Sequence, residues 1–468
     1  MANAVANGVL TESSGTWTLG TKTLSSSISF EDCQKEPLVE SKIGNQTDGM
    51  LMSNAPLSEM NDTKAAEAPA LKPVHILVEV AGSNIASTQT TAAANPVRVY
   101  IERAAAKVQV TIASDVKNPL DKTKTIASTS VKWITDNKEA TFYTVRVPGE
   151  ASGKSSVGSY REYTSENLAS GTYSYRFFSA LTESNRSDDY RMYWAIDPHY
   201  DYTSITSSKE LVGSLAGASA VTKDAGDTDY EYITENTFNE YGLRKDHTTR
   251  VVLSVEYNDG NNFYTVVGSD DIYKEGNCTT DGTLAKKLLE YVVNLSAVKS
   301  WATTNSKDLT KVTLEVDEPI TAAGSVGNDK ITLKYDGATA TDLTTAAGDI
   351  ATAMKITCYL NGLSYYQARI KHFGDTHTPL STSLAGSTYT DIYGDPAATN
   401  SKTAKNFLGR YSVVRNNWYI LKVTAIKQLG TATIPEPDTT PDDDNNQYIT
   451  TEIYVNKWAQ RTQNVELY

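Results

Sequence analysis

Short runs in which apolar and polar residues alternate recur along almost the whole chain, and they confine it to a sheet-rich fold. Residues 72–82 (KPVHILVEVAG) and 97–113 (VRVYIERAAAKVQVTIA) carry the period of two expected of half-buried strands. In the second run Val97, Val99 and Ile101 share one face. Beyond the alanines at 104–106, Val108, Val110 and Ile112 share the other, a phase change that predicts one long strand with a bulge or bend. Further strands are expected at 130–136, 140–147, 171–179, 262–267, 310–316, 331–336 and 363–373, and in the run TTRVVLSVEY that ends the 229–256 stretch. Residues 411–430 form another, with Tyr419, Leu421, Val423 and Ala425 alternating against Trp418, Ile420, Lys422 and Thr424. Helical spacing is rare. It is clear at 284–299, where Leu284, Leu288, Val292 and Leu295 fall on one face, and a second short helix is expected within 346–356. Tyrosine outnumbers phenylalanine 28 to 8, which suits pleated surfaces that stay partly wet. The chain reads as all-β with short inserted helices.

Several function classes are disfavoured. A formal charge of −13 repels polyanions, so no nucleic-acid partner is expected. No stretch is apolar enough to span a membrane, and the opening MANAVANGVL lacks the basic start of a secretory signal. Cys33, Cys278 and Cys358 are too few and too far apart for a disulfide framework or a metal knuckle; they read as buried free thiols, with a Cys278–Cys358 bridge the one pairing worth considering. His372 and His377 flank Asp375 without further ligands at metal-binding spacing, so a strand-end polar role is expected. Asp442, Asp443 and Asp444 lack the ligand order of a calcium loop and read as a solvated linker. Adjacent carboxylates such as Asp188–Asp189 and Asp270–Asp271 read as turns rather than glycosidase acids. With no nucleophile elbow, P-loop or dinucleotide fingerprint, no catalytic, cofactor-binding or metal-binding residue is assigned, and no enzyme is expected. Tyr190, Tyr193, Trp194, Tyr200 and Tyr202 could stack on sugars but read as a core or interface plug.

The sharpest change in composition lies near the C-terminus. Residues 431–447 (TATIPEPDTTPDDDNNQ) hold Pro435, Pro437 and Pro441 beside an acidic run, which predicts an extended, semi-rigid hinge. Strand character then resumes at 448–455, where Ile449, Thr451, Ile453 and Val455 share a face and Ala459, Val465 and Leu467 keep the parity, with Trp458 between. A lone strand is unstable in water and needs an open sheet edge. Two acceptors fit: the chain's own domain, or a neighbouring molecule in head-to-tail strand addition that does not close and so builds a fibre. Pattern alone leaves both open.

Specific motifs bear on that choice. The run at 411–430 (YSVVRNNWYILKVTAIKQLG) resembles the arginine–asparagine strand signature of Bacteroidales-type fimbrillins, the type V pilins, and looks closest to their minor shaft-subunit branch. Residues 49–53 (GMLMS) resemble the family's Met-rich strand, and 101–108 (IERAAAKV) its arginine–alanine strand. The TENT run at 234–237 and the strand from Tyr365 to His372 match in order. The resemblance implies two transthyretin-like β-sandwich domains, at 1–240 and 241–430, then a hinge at 431–447 and a donor-strand tail at 448–468. It also implies export through the outer membrane as a lipoprotein precursor, loss of an N-terminal strand by proteolysis, and filling of the groove so opened by a neighbour's tail. The expected role is a fimbrial shaft subunit supporting adhesion and biofilm formation. Its partners would be copies of itself, accessory, tip and anchor pilins, and a host protein or glycan. The rival reading is a glycan- or host-binding adhesin, including an accessory tip pilin. The family's lipidated cysteine and protease-sensitive arginine are not seen ahead of residue 49.

Overall fold

A computed structural model of the single chain describes residues 1–45, 47, 49–55, 57–60, 71–75, 77–78, 80–94, 96–97, 99–147, 178–180, 189–192, 195–200, 202, 204–206, 215, 220–274, 276, 278–279, 282–373, 392–394, 407–443 and 449–457. Strands in several sheets dominate, joined by a few short helices, as the alternating pattern requires. The strands that matter below are β1 (Met52–Asn54), β2 (Ile101–Arg103), β3 (Ala106–Ile112), β4 (Val131–Asp136), β5 (Lys223–Asp224), β6 (Glu231–Ile233) and β7 (Arg250–Glu256), followed by β8 (Phe263–Thr265), β9 (Val312–Val316), β10 (Ile331–Tyr335), β11 (Thr357–Tyr359), β12 (Leu363–Arg369), β13 (Asn417–Ile426) and β14 (Ile449–Lys457).

Two four-stranded sheets face each other across the main core. One has the order β6-β3-β13-β14 and the other β5-β4-β7-β12. Only β3 and β13 run parallel, with Val110 opposite Leu421; the other pairings are antiparallel. Alternate residues of the first sheet point inward (Ala106, Val108, Val110, Ile233, Tyr419, Leu421, Val423) and meet Val131, Trp133, Val251, Leu253, Val255 and Tyr366 of the second. Each fully buried aliphatic side chain contributes roughly 1.5–3 kcal/mol, so this layer is a large share of the favourable energy. Both sheets draw strands from both sides of residue 240: β4 lies against β7, and β3 against β13.

A second core gathers helices α1 (Thr283–Asn294) and α2 (Ser296–Thr304) over β9 and β10. Leu284, Leu288 and Val292 are buried there, on the face that their spacing indicated. Leu295 instead sits in extended backbone at the joint between the two helices. A small core near the N-terminus packs Val9, Leu19, Leu38, Ile43 and Leu51 around Phe142.

One expected strand divides. The run at 97–113 yields β2, which pairs with β1, and β3, which belongs to the main sandwich. Ala104 and Ala105, both fully buried, form the crossing: the amide of Ala104 donates to Leu51 O, and the carbonyl of Ala105 accepts from Asn416 N. Only small side chains let the backbone change sheets at such close quarters. Val99 and Ile101 are exposed, so the first half of the alternation does not mark a buried face.

Candidate assembly interface

The residues that open and close β13 explain why its sequence looks so specific. Just before it, the buried Arg415 guanidinium pairs with Glu235 (Nε to Oε1, 3.2 Å) and donates to Tyr143 O at 2.9 Å. Asn416 takes a left-handed φ of 62°, which asparagine tolerates, and its Oδ1 accepts from the Arg103 amide. Asn417 then ties back to the carbonyls of Val414 and Arg415. Asn236, beside Glu235, is fully buried and donates to Asn137 O, His247 O and Thr249 Oγ1. The TENT run is therefore a buried polar knot binding β13 to the rest of the sandwich. Beyond the strand, the carbonyl of Tyr365 lies 2.0 Å from where a Cβ of residue 430 would stand, so only glycine fits as residues 365 and 431 bridge.

β14 lies along β13 at the edge of its sheet. The register sets Val455 opposite Tyr419, Ile453 opposite Leu421, Thr451 opposite Val423 and Ile449 opposite Ile426. Every residue so faced on β13 is buried in the main core. The match depends on an irregularity. The register steps from Val423–Thr451 to Ala425–Thr450, passing over Thr424. The shift puts Ile426 rather than Ala425 into the core, opposite Ile449. Of the two acceptors left open by pattern, the single chain uses its own sandwich. Trp458, Ala459, Val465 and Leu467 lie outside the described residues.

The hinge differs from expectation. Residues 431–443 are held to the body at several points, and Pro441, Asp442 and Asp443 are buried rather than solvated. The amides of Lys245 and Asp246 donate to Thr440 O and Asp438 O, and Pro441, itself buried, forms a bridge with Arg244. Pro435 offers its carbonyl to Arg250, while Pro437 is half-buried. Most telling are Asp442 and Asp443, both buried. Asp442 accepts from the Tyr393 hydroxyl and, at 3.2 Å, from Thr248 Oγ1. Asp443 pairs with Arg410 and accepts from the Tyr411 hydroxyl at 3.1 Å. Burial pushes the Asp442 carboxyl up to about 7; the Asp443 charge adds to the rise, while the Tyr393 and Thr248 hydrogen bonds and Arg369 oppose it. Burial and the neighbouring carboxylates hold both tyrosine hydroxyls in their neutral form well above the usual range. Sequence reading missed this anchor because an acidic, proline-rich run looks the same whether or not its partners, far off in sequence, come to meet it.

Other candidate sites resolve into structure. His372 Nδ1 lies 2.7 Å from the Tyr419 hydroxyl, which also accepts from Val414 N, so this histidine orients a core tyrosine; His377 and Asp375 lie outside the described residues. Tyr200 and Tyr202 are buried, and Tyr202 stacks on His247 at 4.5 Å. Nothing is described of Tyr193, Trp194 or the Tyr190 side chain. Cys278 and Cys358 are buried and Cys33 is half-buried, and none of the three is in a disulfide. Among the described residues no cluster of histidine, cysteine and acidic groups could hold a metal, and no helix is long and apolar enough to cross a membrane.

A family model described as "Major fimbrial subunit protein type IV, Fimbrillin, C-terminal" matches residues 385–464, a span that contains β13, the anchor and β14. No curated protein matches the chain. Among solved structures, a fimbrilin from Porphyromonas gingivalis W83 is similar at 10% identity, covering 77% of this chain and 60% of its own, with a TM-score of 0.26. So loose a likeness carries no argument here. The match over 385–464 carries one: this part of the chain is similar to a fimbrillin C-terminal segment, and the strand pairing described above lies inside it.

Proposed function

We propose that this protein is a structural subunit of a cell-surface fimbrium and that it polymerises by exchanging β14 between copies. The observation that carries the reading is the register of β14 on β13. Four positions of one parity fall opposite four buried residues, along a strand that, among the described residues, is paired on one side only. A ladder of this kind asks nothing of its acceptor except an identical β13, and every copy of the chain supplies one. The docked state seen in the single chain is then the closed subunit; replacing its own β14 by a neighbour's conserves each pairing while joining two molecules. Repeated head to tail, the contact does not close, and the product is a filament. The fimbrillin match over the same residues supports the role. Export as a lipoprotein, N-terminal strand removal, and association with accessory, tip and anchor pilins belong to the same proposal, and no catalysis is assigned.

Removing residues 448–468 tests it. The truncated protein is expected to stay folded by circular dichroism yet to form no filaments and no detergent-resistant ladders. Truncation that unfolds the main sandwich, or that leaves filaments intact, would show β14 to be an ordinary internal strand.

A further inference from the structure

The docked segment at 431–443 raises a question that the exchange reading leaves open: how much of the C-terminal region crosses to the neighbour. We infer that residues 431–443 stay on their own subunit and that only the chain beyond Asp443 crosses, an inference that rests on the exchange reading above. The two ends of 431–443 are fastened independently. At one end the backbones of Thr431 and Tyr365 bond to each other in both directions. At the other, the Asp442 amide donates to Leu243 O, its carboxyl takes up Tyr393 and Thr248, and Asp443 faces Arg410 and Tyr411. Lifting this end would break the buried Arg410–Asp443 ion pair and the hydrogen bonds of Asp442 before any new contact forms, a large penalty. Lifting β14 alone opens a backbone ladder at a sheet edge, where water can take over the freed groups. The low barrier therefore lies after Asp443.

The consequence is geometric. Residues 444–448 separate Asp443 from the first residue of β14, and at about 3.3–3.6 Å per residue they span no more than about 20 Å. A crossover at 431 would allow roughly three times that reach. The anchor therefore demands that successive subunits touch, with one subunit's Asp443 close to the next subunit's β13.

Two cysteine pairs placed in a Cys33→Ser background read this directly. Lys422→Cys with Glu452→Cys spans β13 and β14 at facing register positions. Lys245→Cys with Asp438→Cys spans the anchor, where Lys245 Nζ and Asp438 Oδ1 lie 3.9 Å apart. Assembled protein is treated with a short bis-thiol cross-linker and run on denaturing gels. The first pair is expected to give ladders of covalently joined subunits; the second is expected to give internally linked monomers, with at least tenfold less ladder. Ladders of equal strength from both pairs would overturn the inference while leaving exchange standing. Internally linked monomers from both would remove exchange itself and the inference with it. Hydrogen exchange on unsubstituted protein gives an independent check. The amides of Lys245, Asp246 and Asp442 should keep at least nine-tenths of their monomer protection throughout assembly, and their loss of protection would again place the crossover before 443.

Discussion

Residues 431–443 and β14 follow one another in the chain, yet the first is held by buried charge and the second by a backbone ladder. The anchor depends on side chains that few other surfaces could supply: Arg410 for Asp443, and Tyr393 with Thr248 for Asp442. The ladder depends on an open edge and on parity. Each suits its place. Specific buried charge fixes where the tail is rooted, whereas generic strand pairing lets the tail find an equivalent edge on another copy.

If that contrast holds, the largest effect comes from the anchor's ion pair. Arg410→Ala leaves Asp443 buried without its cation and should cost about 3–5 kcal/mol in urea unfolding. A loss below about 1 kcal/mol would mean that the pair is not desolvated. Next comes the ladder. Replacing Glu452 or Ile453 by proline removes a backbone donor in mid-strand, and one of these neighbours must donate to β13. About 2–3 kcal/mol should be lost from β14 docking, with protection from hydrogen exchange falling at 449–457 and unchanged at 438–443. Loss of protection at both would join the two regions into one cooperative unit.

A smaller, pH-dependent effect follows from Asp442. Its folded-state pKa is raised, so the anchor is firmest with the carboxyl protonated and loosens as pH rises from about 4 to about 7. The groups facing it are Tyr393, Thr248, Asp443 and Arg369, and both tyrosines of the anchor remain neutral across that range. Local opening at 438–443 should ease by at most about 1.4 kcal/mol per pH unit in this window, and Asp442→Asn should flatten the slope. An unchanged slope in the variant would assign the titration elsewhere. Least of all, Lys245→Ala removes an ion pair with the half-exposed Asp438 and should shift stability by no more than about 0.5 kcal/mol.

The strands of the main sandwich were legible because burial on one face imposes a period of two. β4, β7, β12 and β13 fall where alternation placed them, and the helical period over α1 identified three of its buried residues correctly. Two features escaped. Val99 and Ile101 alternate like core residues but are exposed, because alternation reports a strand's periodicity without saying whether anything covers its apolar face. Asp442 and Asp443 read as solvated because their partners lie at 248, 393, 410 and 411, and no local pattern announces a long-range ion pair.

The sequence by itself therefore determined the class of fold, the main strands of the sandwich and the existence of a C-terminal strand of the right parity, since each follows from local spacing and the physics of one-sided burial. Tertiary structure alone decided that β3 pairs with β13 across some three hundred residues, that a register step after Val423 sets Ile426 opposite Ile449, and that the acidic hinge is pinned to the body. Those outcomes turn on which edges and which buried charges meet in space, and that meeting has no signature in any short stretch of chain.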